Sequence, residues 1–207
     1  MHTLRNAVIV DDHKLFADSF SLLLEKFDIF DLIHCFSNRE EFINFLMGFG
    51  TQEIYVLLDY YLHEGNGLPL LSDIRRINKA AKIIFVTSAV SPMVIKTLQH
   101  ARPNGIISKS GDLDSIKNCI KQISKNEYYL DPKLKDILLS HNQTVVFTSR
   151  EVELLTFFSN GMNVSQVAEK MHLSTHTIIS HRRNMMSKAN CTSITQLLKY
   201  VNDHEII

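Results

Sequence analysis

Short apolar runs and amphipathic segments alternate along the first 126 residues of the chain. The apolar runs are residues 7–10, 29–36, 54–58, 83–86 and 105–107, and segments with helical spacing follow them at 15–26, 39–47, 68–78, 93–101 and 113–125. Five strands and five helices in strict alternation are typical of an α/β fold in which helices cover both faces of a parallel sheet. The pattern therefore predicts a doubly wound, five-stranded parallel sheet. The second run fits least well, because it contains Asp31 and His34.

The pattern loosens over residues 127–147, which we assign as a linker between two domains. One short amphipathic segment, Pro132–Leu139, has a proline at its first helical position, where proline is well tolerated. Residues 141–144 are polar and are predicted to be the most linker-like part of this stretch.

Residues 148–207 are predicted to form a small all-α domain of four helices. Thr148 and Glu151, three residues later, make a capping box at the start of the first helix, and Gly161 can end it. The first helix is predicted to end near residue 160, the second to cover 164–171, the third to run from 174 or 175 to about 189, and the fourth to cover 193–204. The second and third helices with the turn between them form a candidate helix-turn-helix.

Composition narrows the class of protein without identifying it. The chain has 207 residues, 22 basic and 22 acidic, so its formal net charge is zero. That balance excludes a strongly basic protein that coats nucleic acid. Three scattered cysteines without a CxxC spacing argue against a disulfide framework or a zinc site. The N-terminal apolar run is too short for a signal peptide, and no run approaches the roughly 18 apolar residues of a membrane span. We therefore expect a cytoplasmic protein.

Polar residues follow the predicted strands at the ends where ligands bind in open α/β sheets. Asp11 and Asp12 follow the first strand, Asp59 the third, Thr87 the fourth and Lys109 the fifth. Three neighbouring carboxylates repel one another and favour a bound cation, and oxygen ligands suit Mg²⁺. A carboxylate can also attack a phosphoryl group, while a metal and a lysine neutralise the transferred charge. Each aspartate alone is equally well explained as a helix N-cap, so the hypothesis depends on the whole set.

The motifs IVDDHKLF, VLLDYYLHEGNGL, IIFVTSA and GIISK resemble the receiver domain of bacterial response regulators over about residues 5–125. The resemblance implies a flavodoxin-like fold and makes Asp59 the phosphoryl acceptor. It also implies that Mg²⁺ is held by Asp12, Asp59 and the backbone carbonyl of Tyr61, with Asp11 acting directly or through water. Thr87 is then the switch hydroxyl and Lys109 the lysine that pairs with the phosphate.

Two positions depart from the receiver pattern. Ile106 stands where many receivers have an aromatic residue that swings inward on activation, and His63 replaces the usual proline after the acceptor. The first departure bears on the aromatic part of the switch and the second on the rigidity of the loop. Neither changes the residues of the phosphorylation chemistry.

Residues 147–200 resemble the LuxR-type helix-turn-helix, the output domain of the NarL/FixJ subfamily of response regulators. The marks of that resemblance are Thr148, Glu151, Leu155, Gly161, Val167, Ala168, Leu173, Ser174, Thr177, His181 and Lys188. A receiver followed by this domain is itself the order found in the subfamily. The resemblance implies double-stranded DNA as a partner and a homodimer as the active form.

The third helix of this domain has two faces by its 3.6-residue period. Ile178, Met185 and Ala189 are predicted to pack on the bundle, and a second face can enter a major groove. That second face comprises His176, Ile179, Ser180, Arg183 and Ser187.

Residues of the third helix are assigned to two kinds of DNA contact. In the family, the positions of Ile179, Ser180 and Arg183 commonly face bases. Arg182, Lys188 and Thr177 are predicted to contact phosphates. The alternative for Thr177 is a hydroxyl that stabilises the start of the helix. For His181, a packing role is the alternative to a DNA contact.

Charge is the weak point of the DNA-binding hypothesis. Residues 148–207 contain six basic residues (150, 170, 182, 183, 188, 199) and five acidic ones (151, 153, 169, 203, 205), a balance of only +1. Because DNA affinity depends on phosphate neutralisation, one copy of the domain is expected to bind weakly, and pairing would help. Leu197, Leu198 and Val201 of the last helix either supply apolar dimer contacts or complete the core of the bundle.

The sequence is most consistent with a two-component response regulator rather than an enzyme. A sensor histidine kinase or a small phosphodonor would phosphorylate Asp59 with Mg²⁺, and this would control dimerisation and sequence-specific DNA binding to regulate transcription. One alternative is a phosphorylation-independent DNA-binding regulator with a vestigial receiver, for which Ile106 is the only hint. The other is a Mg²⁺-dependent phosphohydrolase. Such enzymes often carry a second acid two residues after the nucleophile, where this chain has Tyr61.

Overall fold

The computed structural model describes residues 5–63, 65–89, 91–140 and 145–207. Up to residue 123 its elements are β1 (Asn6–Val10), α1 (Lys14–Lys26), β2 (Leu32–Phe36), α2 (Arg39–Phe49), β3 (Ile54–Asp59), β4 (Tyr61–Leu62), β5 (Gly65–Asn66), α3 (Leu68–Ile77), β6 (Lys82–Thr87), α4 (Pro92–His100), β7 (Gly105–Ser108) and α5 (Leu113–Ile123). They are followed by β8 (Tyr129–Leu130), α6 (Pro132–Leu139), α7 (Ser149–Ser159), α8 (Val164–Lys170), α9 (Thr175–Lys188) and α10 (Ile194–Asp203).

The main sheet is parallel and has the strand order β2-β1-β3-β6-β7-β8. The five predicted strands and their crossover helices are confirmed. Strand β2 begins at Leu32, later than the apolar run suggested. Just before it, Arg5 and Asp31 exchange hydrogen bonds, and the Phe30 ring lies 5.2 Å from the ring of Tyr55.

Both faces of the sheet are covered, which explains why its central strands are apolar throughout. Alternate residues such as Ile9, Leu57 and Val86 share one buried core with α1 and α5. The opposite face carries Leu58 and Phe85, which lie next to the backbone at the start of α3. Helix α2 contacts α3 and β2.

The structure adds one strand to the stretch predicted as a linker and confirms its short helix. Tyr129–Leu130 forms the sixth strand, β8, paired with Gly105 and Ile106 of β7. A strand of two residues is too short to produce a recognisable alternation of polar and apolar positions, so the sequence did not predict it. Helix α6 has the predicted bounds, and residues 141–144 lie outside the described residues.

The contacts divide the chain into two units, one of residues 1–88 with 102–135 and one of residues 89–101 with 136–207. In the second unit, α7, α8, α9 and α10 pack as a small helical bundle. Its core contains Val152, Leu155, Phe158, Val167, Ile178, Met185, Leu197 and Val201, all buried. Capping residues define the helix starts as predicted: Thr148 and Glu151 form a capping box, and Ser174 accepts a hydrogen bond from the Thr177 amide. Gly161 has a φ of +80°, the left-handed conformation that ends a helix.

Candidate functional sites

The predicted acidic residues meet at one edge of the sheet. Asp11 directly follows β1, Asp59 ends β3, and Lys109 directly follows β7. The Lys109 Nζ lies 2.6 Å from Asp11 Oδ2 and 2.7 Å from Asp59 Oδ2. Both carboxylates are almost completely buried. A buried ammonium shared between two carboxylates offsets their mutual repulsion, which would otherwise be severe in this environment.

Asp12 lies at the outer side of this cluster, and two histidines contact it. His13 Nδ1 is 3.0 Å from Asp12 Oδ1 and 4.0 Å from Asp59 Oδ2, whereas His63 Nδ1 is 2.9 Å from Asp12 Oδ2. From the sequence, His13 has no assigned role and His63 is related only to the rigidity of its loop. Their signal was their position, one beside the acidic pair and one in the loop after the acceptor, but only the structure shows that they share Asp12.

The carboxylates form a candidate metal site. One ligand atom from each of Asp11, Asp12, His13 and Asp59 lies within 4.8 Å of the others. Among the described residues, the buried oxygens Asp12 Oδ1 and Asp59 Oδ1 have no hydrogen-bond partner. Burying a carboxylate oxygen without a partner is costly, and a cation would satisfy both atoms. Carboxylate oxygens that leave room for water are the donor set that Mg²⁺ prefers.

The protein environment changes the acidity of Asp59. Burial raises the pKa of Asp59, the hydrogen bond and charge of Lys109 lower it, and the charge of Asp11 raises it again, which gives a value of about 6. The Tyr61 amide also donates a hydrogen bond to the Asp59 carboxylate. The carboxylate is therefore mostly ionised at pH 7, as a nucleophile must be. Whether the Tyr61 carbonyl binds a metal stays a prediction.

Thr87 and Lys109 are linked through the backbone. The Lys109 amide donates a hydrogen bond of 2.8 Å to the Thr87 carbonyl, and the Thr87 side chain is completely buried at the end of β6. The Lys109 ammonium also lies 4.5 Å from the centre of the Phe16 ring, a cation–π contact. These contacts aim the ammonium at the carboxylates, and they place the two residues of the predicted phosphate-binding set beside each other.

Ile106 and Gly67 also contribute to the edge around Asp59. Ile106 is completely buried within β7, three residues before Lys109. At Gly67, a Cβ atom would lie 2.4 Å from the carbonyl oxygen of Asp59 and 3.1 Å from the side chain of Leu58. Only glycine allows that approach, so Gly67 maintains the backbone beside the acceptor. The sequence analysis missed this role, although a glycine immediately before a helix was visible.

The exposed face of α9 agrees with the predicted recognition helix. Ile178 and Met185 are buried, as predicted, and Ala189 is half-buried. Ser180 and Arg183 are exposed, while Ile179 and Arg182 are half-buried. Within the described ranges neither Arg182 nor Arg183 forms an ion pair, so both guanidinium groups are available to another molecule.

Two predicted phosphate contacts have partners inside the protein. Lys188 Nζ lies 2.7 Å from Oε2 of the buried Glu151, and the Thr177 hydroxyl lies 2.8 Å from that of Ser174 at the helix N-cap. Burial raises the pKa of Glu151, but hydrogen bonds from Lys188 and Thr148 outweigh it, and the net pKa is lowered. The contacts favour the helix-stabilising alternative for Thr177 and give Lys188 a structural task. DNA contact by either residue stays a prediction.

Helix α10 contributes to the core of its own bundle. Leu197 and Val201 are completely buried, and Leu198 is half-buried. For Leu197 and Val201, this burial favours completion of the bundle core over apolar contacts in a dimer. Among the three, Leu198 alone retains exposed surface for a contact with a second copy.

Comparisons with known proteins match each of the two parts of the chain to a protein family. The family described as "Response regulator receiver domain" matches residues 7–121, and the family described as "Bacterial regulatory proteins, luxR family" matches residues 145–201. The Fimbriae Z protein of Salmonella typhimurium is 28% identical over 98% of each chain. The DNA-binding transcriptional activator EvgA of Escherichia coli is 26% identical over 97% of this chain and 99% of its own.

The fold is also that of a solved structure. RcsB from Salmonella enterica serovar Typhimurium, bound to promoter rprA in the presence of the phosphomimetic BeF3−, superposes with a TM-score of 0.74. The two chains are 21% identical, and the match covers 97% of this chain and 99% of RcsB.

The chain belongs to the response regulators, because the receiver family matches more than half of it. The LuxR family domain after the receiver gives it the architecture of the NarL/FixJ-type transcription regulators. The sequence-based identification of the family and of the fold is thereby confirmed. In the described part of the chain, no helix is both long and apolar enough to cross a lipid bilayer.

Proposed function

We propose that this chain is a two-component response regulator in which phosphorylation of Asp59 controls dimerisation and sequence-specific binding to DNA. The observation that carries the proposal is the edge of the sheet, where an ionised, buried Asp59 lies 2.7 Å from an ammonium and beside two further carboxylates. The same chain presents, on its proposed recognition helix, two arginines that form no ion pair with any described residue. A stand-alone hydrolase has no use for that helix, and the residue two positions after Asp59 is not an acid. We therefore favour a regulator over an enzyme.

The phosphorylation step requires an attacking oxygen and compensation of charge. A carboxylate oxygen of Asp59 attacks the phosphorus of the donor, the new O–P bond forms, and the bond from phosphorus to the donor's leaving group breaks with its electron pair. Lys109 already bridges Asp59 and Asp11, so it is placed to pair with the incoming phosphoryl oxygens. Thr87, at the end of β6, is placed to donate a hydrogen bond to the product.

Magnesium is the cofactor that the acidic residues fit. Asp11, Asp12 and Asp59 would hold Mg²⁺, with the carbonyl of Tyr61 as a further ligand, and the bound ion would neutralise charge on the transferred group. The two buried oxygens without partners, on Asp12 and Asp59, support this assignment.

The partners follow from the two domains. The receiver takes its phosphoryl group from a sensor histidine kinase or a small phosphodonor, and the output domain binds double-stranded DNA. RcsB has been captured with promoter DNA and as pairs of dimers on DNA, and we propose a homodimer as the active form of this chain as well. Because its proposed target is DNA, we assign the protein to the cytoplasm.

We propose residues 1–126, 127–147 and 148–207 as the receiver, the linker and the DNA-binding domain of the chain.

The first test is the intact mass of the full chain after exposure to Mg²⁺ and acetyl phosphate. We expect one added phosphoryl group on the wild type and none on Asp59→Asn, an almost isosteric control. Omission of Mg²⁺ should prevent the addition. An equal gain of mass by Asp59→Asn would overturn the choice of acceptor.

DNA binding of both proteins, with and without the donor, tests the output. We expect affinity for a two-fold DNA site to rise only when the wild type is phosphorylated. Binding that is equally tight for Asp59→Asn and for the phosphorylated wild type would favour the alternative of a phosphorylation-independent regulator.

A further inference from the structure

A buried carboxylate lies in the segment that follows the receiver helices. Asp131 stands between β8 and α6, and its side chain is completely shielded from solvent. Its amide donates a hydrogen bond of 2.9 Å to the carbonyl of Ile106, which extends the pairing of β8 with β7. A charged residue is rarely buried so completely without a specific set of partners. The partners of Asp131 therefore indicate what it does.

Asp131 uses its two oxygens for two different parts of the chain. Oδ1 accepts a hydrogen bond of 2.9 Å from the amide of Lys133, which caps α6. Oδ2 accepts one of 3.2 Å from the amide of Ser108, the residue before Lys109. An N-cap alone needs neither the burial nor the second contact. Asp112, for example, caps α5 from an exposed position by accepting from the amide of Ser115.

A second contact from the same segment reaches the other end of this loop. We define the Lys109 loop as residues 108–111. The Lys133 ammonium donates a hydrogen bond of 2.8 Å to the carbonyl of Ser110. At Gly111, a Cβ atom would lie 2.9 Å from the carbonyl oxygen of Ser108 and 3.1 Å from Asp131 Oδ2, so the loop and the carboxylate are tightly packed. The loop is thus contacted on both sides of Lys109 by residues 131–133.

On its other side, the Lys109 loop contacts the proposed phosphorylation site. The Lys109 amide bonds to the carbonyl of Thr87, and its ammonium bonds to Asp11 and Asp59. The backbone of the Lys109 loop therefore lies between the reacting edge and the Asp131 segment. A displacement of the loop by a fraction of an ångström would change how Lys109 meets the transferred phosphoryl group.

We propose that Asp131, assisted by Lys133, is a positioning residue for phosphoryl transfer, acting through the Lys109 loop. The segment between the two domains is then part of the phosphorylation site, although it contributes no atom to the chemistry. This inference rests on the proposed function, because it assigns a role in the phosphorylation of Asp59. Coupling between two places is reciprocal, so phosphorylation that draws on Lys109 also acts on residues 131–133.

The test uses the full chain, four single variants and one double variant. Asp131→Asn keeps the shape of the side chain but has one acceptor oxygen for two amides, and Lys133→Met keeps the aliphatic stem without the ammonium. Asn38→Ala is the control, since it removes the side-chain N-cap of α2, whose hydrogen bonds come from the Glu40 and Glu41 amides and not from the loop. Amide hydrogen exchange at residues 108–111 and the rate of Asp59 phosphorylation by acetyl phosphate are measured for each. The fourth single variant is Lys109→Met, which is also combined with Asp131→Asn.

We expect faster exchange at the amides of residues 108–111 in Asp131→Asn and Lys133→Met, and no change there in Asn38→Ala. Phosphorylation should slow by about tenfold in Asp131→Asn, the scale of effect expected when a charge-stabilising group is displaced. In the Lys109→Met background the same substitution should have no further effect, which a merely structural role would not produce.

Two results would overturn the inference. Unchanged exchange in the loop would show that Asp131 does not hold it, and an equal slowing in the Lys109→Met background would show that Asp131 does not act through Lys109. Failure of the proposed function looks different, since the wild type itself would then gain no phosphoryl group while the exchange measurement still reports on the loop.

Discussion

At the scale of single residues, Lys109 balances the negative charge of the acidic cluster around Asp59. Its ammonium is the cation between two buried carboxylates, Asp11 and Asp59, and it also packs on the ring of Phe16. Removing one partner from a buried ion pair leaves an uncompensated charge, which costs far more than the pair contributes to stability. Lys109 therefore affects folding as well as chemistry in the metal-free protein.

Lys109→Met should lower the free energy of unfolding of the metal-free protein by about 3 kcal/mol. Mg²⁺ should restore more stability to this variant than to the wild type, because the ion replaces the missing positive charge. Urea unfolding with EDTA or with Mg²⁺ measures both effects. Lys117→Met is the matched control, since Lys117 contacts the ring of Phe27 but no buried carboxylate appears among its described contacts. Equal losses in the two variants would contradict the electrostatic explanation.

In the helical unit, the buried Glu151 is the carboxylate that pairs with a lysine, Lys188. Its lowered pKa predicts how the stability of the protein depends on pH. Its pKa is lowered in the folded protein, so its ionised form adds stability above its unfolded pKa of about 4.3, and this stability is lost as the pH falls through the lower folded value. Glu151→Gln retains a capping-box side chain without the charge. The wild type should be more stable than Glu151→Gln at pH 7, and the difference should shrink as the pH falls through the lowered pKa of Glu151 in the folded protein. Urea unfolding of both proteins between pH 7 and pH 3 tests this, and a constant difference would contradict it.

At the scale of elements, the joint between β3 and α3 determines where Asp59 stands. The two-residue strands β4 and β5 pair with each other after Asp59, and the chain returns so that Gly67 lies against the Asp59 carbonyl. The Gly67 amide donates a hydrogen bond of 2.7 Å to the carbonyl of Tyr60, which closes this loop. The acceptor is therefore held by backbone contacts on both sides of the loop that contains His63.

Gly67→Ala and Gly48→Ala should have opposite effects on stability. A methyl group at Gly67 would lie 2.4 Å from the Asp59 carbonyl oxygen, so the substitution should destabilise the protein by about 1–3 kcal/mol and slow phosphorylation of Asp59. At Gly48, within α2, no heavy atom lies within 4 Å of the added Cβ, and alanine should stabilise the helix by about 0.5–1 kcal/mol. Thermal unfolding of both variants checks the signs. A neutral Gly67→Ala would show that the loop can move away without cost.

At the scale of the whole molecule, charge limits what one copy can do on DNA. Two of the six basic residues in 148–207, Arg150 and Lys188, lie 2.7 Å from glutamates of the same domain. In the described part of the chain the other four form no ion pair, and two of these four, Arg182 and Arg183, lie on α9. Because affinity for DNA depends on the number of neutralised phosphates, a copy with few free cations gains most from pairing with a second one.

Arg182→Ala and Arg183→Ala should differ in what they do to DNA binding. If Arg182 contacts a phosphate, its loss should weaken binding to all sequences and reduce the salt slope by about one for each copy bound. If Arg183 contacts a base, its loss should relax sequence preference at one position. Titrations of phosphorylated protein at several salt concentrations, on a specific and a scrambled site, separate the two. Lys121→Ala, on the exposed side of α5, is the control, and a change of salt slope there would contradict the assignment to α9.

Much of the architecture could be predicted from the sequence, because it depends on periodicity and chain order. Apolar runs such as residues 54–58 mark strands that are buried on both faces, and parallel strands bring Asp11, Asp59 and Lys109 to one edge whatever their separation along the chain. Helix starts could also be predicted from capping residues such as Thr148 and Ser174, because their hydrogen bonds are local in the sequence. Local chemistry and strand direction were sufficient for the fold class and the membership of the acidic cluster, whereas the family followed from the resemblance of the sequence motifs to response regulators.

Only the tertiary structure decided which side chains pair across that framework. Three contacts join residues whose spacing in the sequence follows no period. His13 and His63 both contact Asp12, Gly67 lies against the Asp59 carbonyl, and Lys188 pairs with Glu151. Asp131 illustrates the limit most clearly. Its first oxygen caps α6 by a local hydrogen bond from the Lys133 amide, but its second oxygen accepts from Ser108 only because a two-residue strand adds to the sheet edge. Periodicity and chain order thus determined the elements and their chemistry, whereas distances set by packing decided the contacts of each charge.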